Sequence, residues 1–240
     1  MRAVAAQTRT EILLTLRRGE SLLLILGIPL LLLGFFSVVD VLPKANFQHS
    51  VDFLTPGVLA LAVMSTGMVQ LAIGTAFERQ YGILKRLGAT PLGRPRLLAA
   101  KTAGIVAVEI VQIVLLLTAA FLLGWDAHVR ASAVAAVVLG TVAFSGLGLL
   151  MAGRLRGEVT LAAANGLYLV LLLVGGMVVP LSELPGGLRW LAELLPSGAL
   201  AEALVGTMAN GATVPAKAWI VLGAWAVVAP ILAATSFRWE

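Results

Sequence analysis

The sequence predicts an all-α membrane protein that crosses the bilayer several times. Three observations support this fold class. Of the 240 residues, 60% are hydrophobic and 12% are charged, whereas soluble domains carry about 25% charged residues. The mean hydropathy is +0.99. Several apolar runs also approach the ~20 residues that a helix needs to cross the hydrocarbon core. They are too long for barrel strands, so helices are the expected spanning elements.

The apolar runs predict six spans in one transmembrane domain that covers residues 1–240. The predicted spans are residues 22–39, 54–77, 102–125, 131–153, 159–179 and 218–235. The first run shows no signal-peptide cleavage site, so it is interpreted as a retained helix. Thirteen of the seventeen Lys and Arg residues fall on the side that holds the N-terminus. The positive-inside rule therefore predicts that both termini are cytoplasmic. Arginine outnumbers lysine, as in GC-rich bacteria, which favours a bacterial plasma membrane.

Several kinds of site are excluded or disfavoured by composition. The chain has no cysteine, which excludes disulfides and thiolate metal sites. The two histidines, His49 and His128, lie far apart in polar loops, so we expect no metal site. The net charge of +5 does not indicate nucleic-acid binding, because the basic residues follow the membrane topology.

Residues 78–101, between the second and third spans, hold most of the basic residues of the middle of the chain. Ile83, Leu84 and Leu87 recur at helical spacing, and basic side chains lie largely around the other side. A proline at position 91 ends this helix, and a second short piece, residues 93–100, leads into the third span. The pattern predicts a helix-turn-helix elbow on the cytoplasmic surface. The alternative is a basic helix that merely rests on anionic lipid.

Two other segments are too short or too polar to span. Residues 1–21 resemble an interfacial helix, although Arg9 falls on its apolar side. Residues 180–215 contain two apolar stretches, 188–195 and 199–208, which are separated by turn residues. We expect these stretches to form a re-entrant hairpin on the outer side. The prolines that punctuate this segment are Pro180, Pro185 and Pro196.

Polar residues inside the spans are candidates for a translocation path. Glu109 is the clear ionisable case, and it lies about 12 Å beyond Lys101 along the third span. It either contacts a cation or substrate or is a structural carboxyl between helices. Small and weakly polar stripes in the other spans are typical of helix packing, or they line an apolar path for an amphipathic substrate. The candidate path residues are Thr66, Gln70, Glu109, Gln112 and Asn165.

Two motifs resemble the permeases of type-2 ABC exporters. The first is ERQYGILKRL at residues 78–87, followed by ATPL at 89–92. The second is GGMVVPL at residues 175–181, with further Leu-Pro pairs at 184–185 and 195–196. The number of spans, the cytoplasmic N-terminus and the chain length also resemble that family. The resemblance covers essentially the whole chain.

The resemblance implies a permease subunit that pairs with a second one, identical or different, and with two ATPase subunits. ATP and Mg²⁺ would bind to those ATPases, since this chain has no phosphate-binding loop. The elbow would be the coupling helix that sits in a cleft of the ATPase. Its apolar residues would pack in that cleft or in the elbow's own core, and its basic residues would meet acidic groups of the partner. Gly82 would allow a close backbone approach. The residues implied are Glu78, Arg79, Gly82, Ile83, Leu84, Lys85, Arg86, Leu87, Thr90 and Pro91. Many relatives carry an acid where this chain has Gln80, which puts one ion pair in doubt.

By this resemblance we expect the chain to export an amphipathic substrate, such as a drug, an antibiotic or a lipid-like molecule. Export of a lipid-linked polysaccharide or another polymer is the alternative within the same machinery. A membrane-embedded lipid-modifying enzyme would need paired carboxylates or a Ser/His constellation, and Glu183, Glu193 and Glu202 are instead spread along the hairpin segment. An ATP-independent transporter usually shows internal repeats, and the sequence shows no convincing one.

Overall fold

The structure is a computed structural model that describes Thr8 and residues 19–39, 50–88, 93–125, 129–177, 180–208 and 213–237. These residues form helices and connecting turns, without a strand in the described part of the chain. The α-helices are α1 Gly19–Val38, α2 Ser50–Met64, α3 Leu71–Gln80, α4 Ile83–Gly88, α5 Arg94–Leu122, α6 Ser132–Arg154, α7 Gly157–Val174, α8 Gly186–Leu194, α9 Pro196–Met208 and α10 Ala216–Ser236. A π-helix, Ser65–Gln70, joins α2 to α3, and a 3-10 helix, Leu181–Glu183, precedes α8.

Five helices are long and apolar enough to cross a membrane. They are Val51–Gln80, Arg96–Leu122, Ser132–Arg154, Gly157–Val174 and Ala216–Ser236. These helices match the second to sixth predicted spans. The first predicted span corresponds to α1, in which the shorter stretch Ile25–Ser37 is the described apolar segment. A multi-pass membrane protein is therefore established, and the sixth crossing stays a prediction, as does the side of the membrane on which each terminus lies.

Three predicted boundaries were wrong for identifiable reasons. Residues 93–100 do not form a separate short helix, because α5 begins at Arg94 and continues without a break into the third span. Pro95 is compatible with this helix because it lies in the first turn, where backbone N–H groups have no partner within the helix. The predicted helix over 78–87 is broken, since α3 ends at Gln80 and Gly82 adopts a φ of +71°. The fifth span ends at Val174 rather than 179, because Gly176 has a φ of +69°.

The core of the bundle lies around α2, α6 and α9. Its largest buried side chains include Leu59, Met64, Phe144 and Leu200. Helix α6 packs closely on α10, where a Cβ added to Gly146 would lie within 3 Å of the Pro230 ring. Helices α5, α7 and α10 are much less covered, at 33%, 22% and 28% buried over their apolar windows. Their exposed apolar faces are therefore available to lipid or to a second subunit.

The turn at Tyr81 and Gly82 and the turn at Leu155 and Arg156 lie at the same end of the bundle, which we call the elbow side. The opposite end holds residues 180–208 and is called the hairpin side. Helix α9 is buried along most of its length against α2, α6 and α10. This burial is compatible with a re-entrant hairpin, which stays a prediction because no membrane boundary is defined.

Candidate coupling surface and buried polar links

The elbow consists of a tight turn followed by a helix of six residues. Helix α3 ends at Gln80, Tyr81 and Gly82 form the turn, and α4 begins at Ile83. The φ of +71° at Gly82 is a conformation that other L-residues rarely adopt. A Cβ added at Gly82 would meet nothing within 4 Å in this chain. Glycine is thus needed here for the backbone turn, and the predicted close approach to a partner stays a prediction.

The apolar residues of α4 divide between two faces. Leu84 is fully buried, and Leu87 packs on the same cluster, which includes Leu97, Leu149 and Phe237. Ile83 is 43% exposed. The elbow therefore has its own core, formed with α5, α6 and the end of α10. Its other face presents Ile83 to the exterior, beside exposed Tyr81 and Arg86.

Two charged residues predicted to contact an ATPase are engaged inside this chain. Lys101 Nζ lies 2.5 Å from Glu78 Oε2, and the Lys101 and Glu78 side chains are 2% and 13% exposed. Arg79 donates a hydrogen bond to the Leu155 carbonyl at the end of α6. These bonds tie α3 to α5 and to α6. Of the remaining predicted residues, Lys85 is exposed, and Thr90 and Pro91 lie outside the described residues.

A polar groove of about 660 Å³ runs between the elbow and the start of α7. Arg79, Lys85 and Arg156 line it, together with Glu158. Gln80 also lines the groove, and its side-chain oxygen lies against Gly157, where a Cβ would collide with it. The Gln80 side chain therefore packs between the end of α3 and the start of α7.

The candidate path residues fall into separate groups. Thr66, on the π-helix, donates to Gln112 Oε1 at 2.9 Å, and Gln112 Nε2 donates to the Ile25 carbonyl at 2.7 Å. These bonds link α5 to α1 and to the second span. Buried π-helical segments within α-helices are frequent at functional sites. Gln70 stands at the end of the same segment, and its buried Oε1 has no hydrogen-bond partner among the described residues.

Glu109 lies on α5 one turn before Gln112 and has a different partner. Its Oε2 accepts a hydrogen bond from Thr141 Oγ1 at 2.7 Å, so it links α5 to α6. Asn165 is exposed on α7, and its amide donates to the Leu161 carbonyl of the same helix. The structure therefore brings Thr66 together with Gln112, and Glu109 together with Thr141. It does not bring Asn165 to either pair.

The three prolines named for the hairpin segment each lie at the start of a helix. Pro180 precedes the 3-10 helix, Pro185 precedes α8, and Pro196 is the first residue of α9. A fixed φ near −65° suits these positions. Helix α8 is then fastened to α10, because Glu193 accepts hydrogen bonds from Lys217 and Arg189. Trp225 Nε1 also donates to the Leu194 carbonyl.

Two residues that complete these links were absent from the predicted site. Lys101 lies at the end of residues 78–101 and Thr141 lies within the fourth predicted span, and neither is among the residues predicted for a site. The sequence held a signal for each, since a buried charge in an apolar helix needs a partner. The distance along the chain hid the pairing. Among the described residues there is also no group of three or more Asp, Glu, His and Cys side chains that could hold a metal ion.

The long apolar helices and the polar links between them define a multi-pass membrane protein. The sequence profile of the ABC-2 type transporter family matches residues 2–209. Because this match covers most of the 240-residue chain, the chain belongs to the ABC-2 type transporter family. It is thus a permease component of a transporter rather than a catalytic subunit. A search of curated proteins found no match to this chain.

Proposed function

We propose that this chain is the membrane subunit of an ATP-driven exporter. It works with a second permease subunit, identical or different, and with two ATPase subunits that bind ATP and Mg²⁺. The observation that carries this proposal is the division of α4 into a buried and an exposed face. Leu84 anchors the elbow in the bundle, while Ile83 is exposed beside Tyr81 and Arg86.

This arrangement suits the transmission of movement. A force on the exposed face of α4 would pass through Leu84 to α5, α6 and Phe237 after α10. The Glu78–Lys101 pair and the Arg79–Leu155 hydrogen bond would carry it to the same helices. Packed cores and buried ion pairs respond as units rather than bending gradually. Movement of an ATPase cleft would therefore shift the elbow-side ends of several spans together.

The proposed substrate is amphipathic, such as a drug, an antibiotic or a lipid-like molecule, and it leaves the cell. The spans expose wide apolar faces and hold few polar side chains, which favours a substrate with a large apolar part. Thr66, Gln70, Glu109, Gln112 and Asn165 remain the proposed path residues. The buried pairs among them would have to separate or move as the spans rearrange.

The test is reconstitution with a candidate ATPase. We expect the full chain to co-purify with the ATPase and to drive ATP-dependent export of a fluorescent amphipathic dye in proteoliposomes. Arg86→Glu and Ile83→Glu should reduce co-purification and transport at least about tenfold, as losses of well-packed interface contacts do. Glu183→Lys, an exposed charge reversal on the hairpin side, should leave both unchanged. Transport without ATP, or a chain that never retains an ATPase, would refute the proposal.

A further inference from the structure

A second feature of the bundle is an apolar cavity of about 320 Å³ between α2, α5, α6 and α9. Its walls are built almost entirely from aliphatic side chains, including Leu59, Ile113, Val137 and Leu204. The cavity extends from Glu109 and Thr141, within the spans, toward Val129 and Met208 at the hairpin side. Its volume lies at the small end of the range for ligand pockets, about 300 to 1,000 Å³.

Glu109 is the one charged side chain among the described residues that line this cavity. Its side chain is 2% exposed, and one carboxyl oxygen is satisfied by Thr141. The other oxygen, Oε1, is buried and has no hydrogen-bond partner within the described parts of the chain. A buried carboxylate with one neutral hydrogen bond is unfavourable. A ligand that brings a proton donor, and ideally a positive charge, to Oε1 would therefore complete the site.

The cavity is bordered by side chains that face outward from the bundle. Ile110 and Val134 are 57% and 64% exposed, and both line the cavity. Val138, one turn from Val134, is exposed as well. These residues lie on apolar membrane-spanning helices, and the site proposed below requires that the surface beside the cavity lie against hydrocarbon rather than against a second subunit. A ligand would therefore reach Glu109 sideways from the bilayer and would have to be soluble in lipid.

We propose that this cavity binds a lipophilic cation, specifically an amphiphilic amine drawn from the membrane. The ammonium group donates to Glu109 Oε1, and the apolar body of the amine packs along the Val and Leu walls toward the hairpin side. The proposal gives amphiphilic amines as a substrate class of the exporter. It rests on the proposed function only for the transport step that follows binding. Binding itself requires neither ATP nor an ATPase.

The experiment measures equilibrium binding of radiolabelled dodecylamine to the full chain in nanodiscs of neutral lipid, with empty nanodiscs subtracted. We expect saturable binding that the uncharged analogue dodecanol competes for at least about tenfold less well. Glu109→Gln should weaken amine binding by at least about tenfold, as the loss of one partner of a buried charge pair does. The amide retains an acceptor for Thr141, so the variant should fold. Glu183→Gln, on an exposed carboxyl far along the chain, should bind like the parent.

A second variant distinguishes the effect of the Glu109 charge from the effect of the cavity volume. Val138→Phe keeps Glu109 and fills the cavity, so it should weaken amine and dodecanol equally. The proposal is overturned if the parent shows no saturable binding, if Glu109→Gln binds the amine unchanged, or if dodecanol competes as well as dodecylamine. Each of these results would indicate that Glu109 is a structural carboxyl and that lipid acyl chains occupy the cavity. A chain that binds the amine but shows no ATP-driven transport would refute the proposed function alone.

Discussion

Glu78 and Lys101 form a largely buried ion pair that joins the end of α3 to the beginning of α5, with Lys101 Nζ 2.5 Å from Glu78 Oε2. The two residues are separated by the whole elbow, so the pair closes a loop at its base. The described part of the elbow is thereby attached to the bundle at its base. Such an attachment would let the elbow pass movement to the spans, whereas a loosely attached loop would absorb it.

Breaking this pair should destabilise the elbow. We expect Glu78→Gln or Lys101→Met to lower the free energy of unfolding by about 3 kcal/mol, because each removes one charge of a largely buried ion pair. The double variant should recover part of that loss. Thermal unfolding of the parent, the two single variants and the double variant in detergent measures the interaction energy between the two side chains. Single and double variants with additive effects would show that the pair contributes little.

Leu84 and Ile83 are adjacent residues with opposite expected effects. Leu84→Ala should cost about 2 to 5 kcal/mol of stability, since it leaves a cavity in a packed cluster. Ile83→Ala should change stability by less than about 1 kcal/mol, because its side chain is 43% exposed. It should nevertheless impair ATP-driven transport. Unfolding and transport assays on the same preparations check this, and an Ile83→Ala variant with normal transport would contradict the proposed role.

Gly82 supplies a backbone conformation rather than space. Gly82→Ala should destabilise the elbow by about 1 to 2 kcal/mol, because Ala at a φ of +71° is strained. Gly82→Asn should cost less, since Asn tolerates this conformation better. Unfolding midpoints of the two variants give the comparison. Equal effects of Ala and Asn would contradict the conclusion that the glycine is required for its backbone conformation.

The ion pairs that Glu193 of α8 forms with Lys217 of α10 and with Arg189 predict that stability depends on pH. The hydrogen bond from Lys217, with another from Arg189, lowers the pKa of Glu193 below its ordinary value. The stabilisation is therefore complete above the ordinary glutamate pKa of about 4.3 and is lost as pH falls through the lowered pKa. We expect Glu193→Gln to lower the unfolding midpoint at pH 7 by at most about 3 °C, since the pair is exposed. The difference from the parent should vanish near pH 2. A difference that persists there would assign the effect to packing rather than charge.

The sequence was most informative where a pattern is local. Apolar runs located five long helices and the two short helices of the hairpin segment, although the short helices begin two and three residues earlier than predicted. Turns that depend on glycine conformation were less predictable, because φ values at Gly82 and Gly176 are set by the surrounding fold. Pairings such as Thr66 with Gln112 and Glu109 with Thr141 were also beyond a single sequence. Each depends on how helices rotate against one another, which apolar periodicity constrains weakly in a chain that is hydrophobic on most faces.

The most direct test of the central claim is cysteine cross-linking between the elbow and an ATPase subunit. The chain has no native cysteine, so Ile83→Cys introduces a single reactive position. Leu84→Cys is the matched control, because Leu84 is fully buried next to it. We predict that Ile83→Cys cross-links to cysteines placed along the ATPase cleft, with a yield that changes on ATP binding, and that Leu84→Cys does not. Absence of a cross-link from Ile83, or equal yields from the two positions, would contradict the account.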